Sequence, residues 1–279
     1  MQFKTIFVYM SRRHGCERLL ETACALARTN GAHLIGAAAF SAVPPVPPLA
    51  IPYNATVIQE MIRAAQEAEA ELRDQFIETT RQQPFVSEWV SVRGFAGDLV
   101  GAVLEHARSA DLIVAGQRDP DWELGPVLDF PERLALESGR PVYLVPRDRA
   151  APDSYKSIAI AWNGSREAAR AVYDAFPFLV SADNVSILTI TADGKPMDEG
   201  TPAEALAATL ARHGINATIT PLQTSNAGVS RTIVNEATRL EADLLVMGAY
   251  GHSRLREFVF GGVTRDLTNA CPIPLIISH

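Results

Sequence analysis

Cysteine is scarce. The 279-residue chain has three, Cys16, Cys24 and Cys271. An odd count without close C-x-x-C spacing excludes a disulfide framework and a zinc knuckle, and leaves buried free thiols as the reading. Basic runs are missing too, and the formal net charge is -7, so no general nucleic-acid surface is expected. No apolar stretch reaches the roughly 18 residues of a membrane span. Met1-Gln2-Phe3-Lys4-Thr5 leads into an apolar strand without a charged leader, so a cytoplasmic protein with no membrane partner is expected. The six histidines show neither i, i+4 pairing nor an H-E-x-x-H pattern, which argues against a dedicated metal site. No G-x-S-x-G elbow or nucleophile–base arrangement is visible, so no catalytic residue is assigned.

What is there is ordinary globular material, 47% hydrophobic and 20% charged, enough for two domains. Short apolar β-branched runs alternate with helical periodicity. The first half reads as strands Thr5–Met10, His33–Phe40, Phe85–Val92, Asp111–Ala115 and Pro141–Val145, with helices Arg13–Asn30, Ala55–Gln82 and Asp98–Arg108. Val43-Pro44-Pro45-Val46-Pro47-Pro48 is neither helix nor central strand and reads as an extended loop. The second half reads as strands Lys156–Trp162, Val185–Ile190, Ala217–Leu222, Asp243–Met247 and Pro274–Ile277, with helices Arg166–Val180, Pro202–His213, Ser230–Leu240 and Val263–Asn269. Alternation of this kind predicts an α/β fold, two doubly wound, mostly parallel five-stranded sheet domains in tandem, spanning 1–147 and 154–279.

The halves are alike in sequence. Ser109-Ala110-Asp111-Leu112-Ile113-Val114-Ala115-Gly116 matches Glu241-Ala242-Asp243-Leu244-Leu245-Val246-Met247-Gly248, and the two run on without a gap. Lys4-Thr5-Ile6 matches Lys156-Ser157-Ile158. In the second half the apolar run ends at Gly248, with Gly251 and the pair Gly261-Gly262 following before a helical pattern. A strand that stops at a glycine-rich loop and hands over to a helix N-terminus is a candidate phosphate cradle.

Those glycines, with Trp162-Asn163-Gly164-Ser165 and the ending Cys271-Pro272-Ile273-Pro274-Leu275-Ile276-Ile277, make the chain resemble a tandem universal stress protein. The resemblance implies a stress-response module that binds ATP or a related adenine nucleotide in its C-terminal half and acts as a sensor. It places the nucleotide on Ala161, Trp162, Asn163, Gly164 and Ser165; on Ile190; and on Gly248, Gly251, Gly261, Gly262 and Val263. His252 and Thr264 join the set as loop and helix side chains near the phosphates. A divalent ion such as Mg²⁺ would arrive with the phosphates rather than in a protein cage. Hydrolysis is expected to be slow at most, because no lysine follows the loop as in a P-loop.

Two departures weaken the ATP contacts. Asn163 stands where the nucleotide binders carry Asp, and Gly262 where Ser or Thr is usual. In the first half the gap-free register sets Gln117, Asp119, Asp129 and Phe130 opposite Ala249, Gly251, Gly261 and Gly262, so two carboxylates would repel phosphate. No nucleotide triphosphate is expected there. The resemblance also implies an intramolecular pseudo-dimer in which the last strands of the halves meet edge to edge or back to back, and it allows a homodimer of two chains. Two other readings stay open: a nucleotide-free interaction module acting through its Pro-rich loop and assembly surface, and an apolar-ligand carrier using the space between the helix from Ala55 and the sheet.

Overall fold

The computed structural model describes residues 2–11, 16–41, 55–94, 98–117, 130–149, 151–152, 154–191, 202–224, 228–249 and 262–279. The first half contains β1 (Thr5–Tyr9), α1 (Cys16–Asn30), β2 (His33–Ser41), α2 (Ala55–Thr80), β3 (Ser87–Gly94), α3 (Leu99–Ala107), β4 (Leu112–Gly116), α4 (Phe130–Glu137) and β5 (Val142–Val145). The second contains β6 (Ser157–Ala161), α5 (Arg166–Asp174), α6 (Phe176–Leu179), β7 (Asn184–Thr191), α7 (Pro202–Arg212), β8 (Ala217–Gln223), α8 (Val229–Arg239), β9 (Leu244–Gly248), α9 (Gly262–Ala270) and β10 (Leu275–Ser278). The expected strands all form, with ends displaced by up to two residues.

Two helical expectations need correction. The helix expected over Arg166–Val180 breaks at Ala175, and α6 restarts with a proline in its first turn. Pro177 has no N–H to give the preceding turn, so a continuous helix would lose a hydrogen bond and take a ring clash there. No element was expected between β4 and β5, yet α4 forms. Pro131 is tolerated because it falls in the first turn, where N–H groups lack intrahelical acceptors.

The ten strands form one sheet in the order β3-β2-β1-β4-β5-β10-β9-β6-β7-β8. Every pairing is parallel except the central one, where Leu275, Ile276 and Ile277 of β10 run antiparallel to Leu144, Tyr143 and Val142 of β5. The halves therefore meet edge to edge. Each has the same internal order, and the second reads as the first turned about a twofold axis at the seam.

The core follows the faces of this sheet rather than its halves. Ile6, Val8, Leu34 and Tyr143 share one buried layer with Ile158, Ile160, Val246 and Ile276, covered by α1, α2, α5, α6 and α7. Phe7, Ile113 and Leu144 share the other with Leu188, Leu245 and Leu275, under α3, α4, α8 and α9. Burial of this apolar area is the main stabilising term, and each layer is continuous across the seam. Polar contacts also cross it: Gln117 Nε2 donates to the Cys271 carbonyl at 2.6 Å, and the Tyr143 and Tyr155 hydroxyls lie 2.9 Å apart. The Thr268 hydroxyl sits 3.1 Å from Glu132 Oε1.

At the N-terminal edge the two halves repeat a carboxylate clamp. Asp111 accepts from the amides of Lys4 and Thr5 at 2.7 and 3.0 Å. Asp243 accepts from those of Lys156 and Ser157 at 2.9 and 3.0 Å. Among the described residues no helix is long and apolar enough to cross a membrane, and no three His, Cys, Asp or Glu gather as metal ligands.

Candidate functional site

In an open α/β sheet, ligands sit beyond the carboxyl ends of the strands where the winding direction reverses. In the second half that point lies between β6, whose chain continues outward to β7 and β8, and β9 on its other side. Ala161 ends β6 beside Met247, and the turn that follows is built locally. Asn163 Oδ1 accepts from the Ser165 amide at 3.1 Å, and Gly164 takes φ +73°, a left-handed conformation that favours glycine. Ser165 caps α5, its hydroxyl accepting from the Ala168 amide at 3.1 Å. Asn163 thus organises the turn without a charge.

The side chains divide between the two faces. Ala161, Ile190 and Val263 lie half-buried on the α8/α9 face, with Leu222 and Val229 in the same layer. Together they form an apolar floor at the C-terminal edge. Trp162 packs on the opposite face, against the core under α5 and α7, while its amide donates to the Leu188 carbonyl at 2.9 Å. Trp162 therefore contributes backbone to this crevice, not its ring. Gly262 begins α9, and a Cβ added there would meet nothing within 4 Å. Thr264, assigned to the phosphates, is instead buried in the packing of α9. The assigned residues Gly251, His252 and Gly261 lie outside the described residues, as do Asp119, Asp129 and the Pro-rich stretch.

Gly248 has a packing reason to be glycine. A Cβ there would stand 2.4 Å from the Ala168 amide nitrogen and 2.5 Å from the Glu167 carbonyl carbon, so α5 crosses directly over the end of β9. At its counterpart Gly116 the same atom would meet nothing within 4 Å. Glu167 is buried in the first turn of α5. Burial alone would push its carboxyl up, but the Arg166 guanidinium, its own amide and Ser165 outweigh that and hold it below the ordinary carboxylate value. Sequence reasoning passed over Glu167, since a Glu in a first helical turn reads as a surface residue favoured by the helix dipole.

The twin crevice in the first half is closed. Tyr9 ends β1 beside Ala115, the place Ala161 takes on β6. Phe130 opens α4, and its ring stacks on that of Tyr9. The gap-free register needs correction here. Ile113 pairs with Val142, but its equivalent Leu245 pairs with Leu275 rather than Pro274. The second half therefore carries one extra residue between β9 and β10, and Phe130 corresponds to Val263, not Gly262. Buried Leu134 and Ala135 then match buried Leu267 and Thr268. What fills the first crevice is an aromatic pair. Tyr9 was missed, although extending the Lys4/Lys156 match by five residues sets it against Ala161.

The described residues define a doubly wound α/β protein whose halves differ at one strand end, Tyr9 and Phe130 in the first standing where the second has Ala161 and Val263. Residues 154–279 match the Universal stress protein family model. No curated protein matches the chain. Among solved structures, a universal stress protein from Archaeoglobus fulgidus is similar over 98% of this chain and 95% of its own, at 14% identity and a TM-score of 0.71. A putative universal stress protein from Pseudomonas aeruginosa is similar over 99% and 93%, at 16% identity and a TM-score of 0.59. The whole chain thus has the universal stress protein fold.

Proposed function

We propose that the chain is a tandem of two universal stress protein domains, 1–147 and 154–279, and that the second binds an adenine nucleotide as a sensory or regulatory module. One observation carries this: of two equivalent crevices, one is filled by Tyr9 and Phe130, while the other keeps Ala161 and Val263 in their places. An apolar floor of Ala161, Ile190 and Val263 suits a flat purine. The Asn163–Ser165 turn, held by the Ser165 amide donating to Asn163 Oδ1, follows the end of β6, and Gly262 would set the start of α9 toward the phosphates. Mg²⁺ would enter with the nucleotide, and the first domain acts as a fixed pseudo-dimer partner.

Titration calorimetry with ATP, ADP and AMP, each with and without Mg²⁺, tests this on the full chain. We expect one site per chain, lost when Ala161→Tyr and Val263→Phe copy the closed crevice. Binding that survives the double substitution, or none by the wild type at millimolar nucleotide, overturns the reading.

A further inference from the structure

The helices that follow β4 and β9 end differently. α9 starts at Gly262, at the carboxyl edge of its own half, and runs back against the strands for about 13 Å at ~1.5 Å per residue. Because β5 and β10 are antiparallel, this path ends at the carboxyl edge of the other half. Three side chains of the first half hold it there. Gln117 Nε2 donates to the Cys271 carbonyl at 2.6 Å, and Arg147 Nη2 to the Asn269 carbonyl at 3.5 Å. A helix end leaves such carbonyls without intrahelical donors. The third is Glu132, in the first turn of α4, whose Oε1 lies 3.1 Å from the Thr268 hydroxyl.

The arrangement is one-sided. Phe130 corresponds to Val263, so Ala135 takes the place of Thr268 and Arg265 that of Glu132. Ahead of the one-residue shift, Ala249 takes the place of Gln117. The amides of these two donate to matched strand ends, at Ser278 and Val145. Neither Ala135 nor Ala249 has a polar side chain to return the contact. The end of α4 is capped within its own half instead, Arg108 Nη2 donating to the Glu137 carbonyl at 3.3 Å.

The Thr268 contact is also poised between two states. Its hydroxyl has one proton and two acceptors, Glu132 Oε1 and the Arg265 carbonyl of its own helix, both at 3.1 Å. Glu132 is buried, and its Oε2 has no partner among the described residues. A small shift of α9 therefore decides whether the carboxyl keeps its donor, and a buried acceptor without one is unfavourable.

We propose that α9 carries the state of the nucleotide crevice to the first half. A nucleotide that holds the Gly262 end steadies the Thr268 end, and through it α4. The inference rests on the nucleotide reading and adds where its signal goes: the first half reads the site. Linkage is reciprocal, so loosening these contacts weakens nucleotide binding in return.

Hydrogen exchange of the full chain with and without ATP, beside calorimetry on the same samples, tests it. ATP should slow the amides of α9 and also those of residues 133–137 in α4, by about fivefold or more. Gln117→Ala combined with Thr268→Val should keep the slowing in α9, lose it in α4 and raise the ATP dissociation constant by about fivefold or more. Gln117→Ala alone trims one half-buried side chain; it should move both readings the same way, and it decides the matter if circular dichroism shows the double variant unfolded. Bound ATP that leaves α4 unchanged in the wild type, or an α4 response that survives the substitutions, overturns the proposal and leaves the nucleotide reading standing. ATP that does not bind overturns both.

Discussion

The ring of Tyr9 stacks on that of Phe130, with centroids 4.2 Å apart and planes 7° from parallel. Both residues are buried, and they join the end of the first strand to the start of the helix that would face a ligand. Offset stacking adds about 0.5–1.5 kcal/mol to the area the rings bury. Replacing the pair by Tyr9→Ala and Phe130→Val should open a crevice like that of the second half. Each change should cost about 2–5 kcal/mol, read by urea denaturation. The double variant should show an apolar cavity by xenon binding. A stability unchanged by either substitution would show that the stack closes nothing.

A matched pair of glycines tests the approach of α5 to β9. Gly248→Ala puts a methyl into the backbone of Glu167 and Ala168 and should cost about 1–3 kcal/mol or more. Gly116→Ala puts it into open space and should be near neutral. Equal effects would mean that the two strand ends are packed alike.

Gly262 offers a gain of function that rests on the proposed nucleotide site. A side chain there meets nothing within 4 Å, so Gly262→Ser should fold normally and give the phosphates a hydroxyl. One added hydrogen bond is worth about 0.5–1.5 kcal/mol, a tightening of about two- to tenfold for ATP by calorimetry. Adenosine affinity should not move. Equal tightening of both ligands would place residue 262 away from the phosphates.

The tyrosine pair at the seam predicts an alkaline transition. Burial, aided by nearby Asp243, pushes the Tyr155 hydroxyl up to about 12 from 10.0, although its hydrogen bond with Tyr143 works the other way. Burial raises Tyr143 further. Both folded values lie above the unfolded ones, so this stabilisation is complete below pH 10 and is lost as pH rises through about 12. Tyrosinate absorbance should rise together with unfolding in that window, and Tyr155→Phe should blunt the slope. Two tyrosines that ionise near pH 10 without unfolding would contradict the burial.

The thiols should be quiet. Burial pushes Cys16, Cys24 and Cys271 each up to about 11, so little thiolate exists at neutral pH. Iodoacetamide at pH 8 should label the native chain slowly and the denatured chain at once. Rapid native labelling of Cys24 in α1, or of Cys271 just past the end of α9, would show that the packing over those thiols opens.

Much of this architecture was legible because the β/α alternation is local and strong. Gly31, at φ +58°, ends α1 where the sequence put a stop. Pro177 went unheeded because the apolar spacing of Ala169, Val172 and Phe176 runs right up to it. The one-residue shift between β9 and β10 left no mark on a gap-free match, because a register is set by strand pairing, not by likeness of residues. A first half without nucleotide was expected from Asp119 and Asp129, which lie outside the described residues; the structure adds a stacked pair, Tyr9 and Phe130, at the end of β1. Tyr9 looked like any strand residue until β1 and α4 were brought side by side. The burial of Glu167 is likewise a tertiary fact, which its place in a first helical turn does not announce.

The antiparallel pairing of β5 with β10 has an evolutionary side. Two separate copies of a single gene product joined at such a seam must be identical, so a substitution that closes one crevice closes both. One chain that carries both partners is freed from that rule. It fixes their ratio at one to one and lets each accumulate changes alone. Tyr9 and Phe130 on one side, and Ala161 and Val263 on the other, are a difference between two matched strand ends that a symmetric pair of identical subunits has no means to carry.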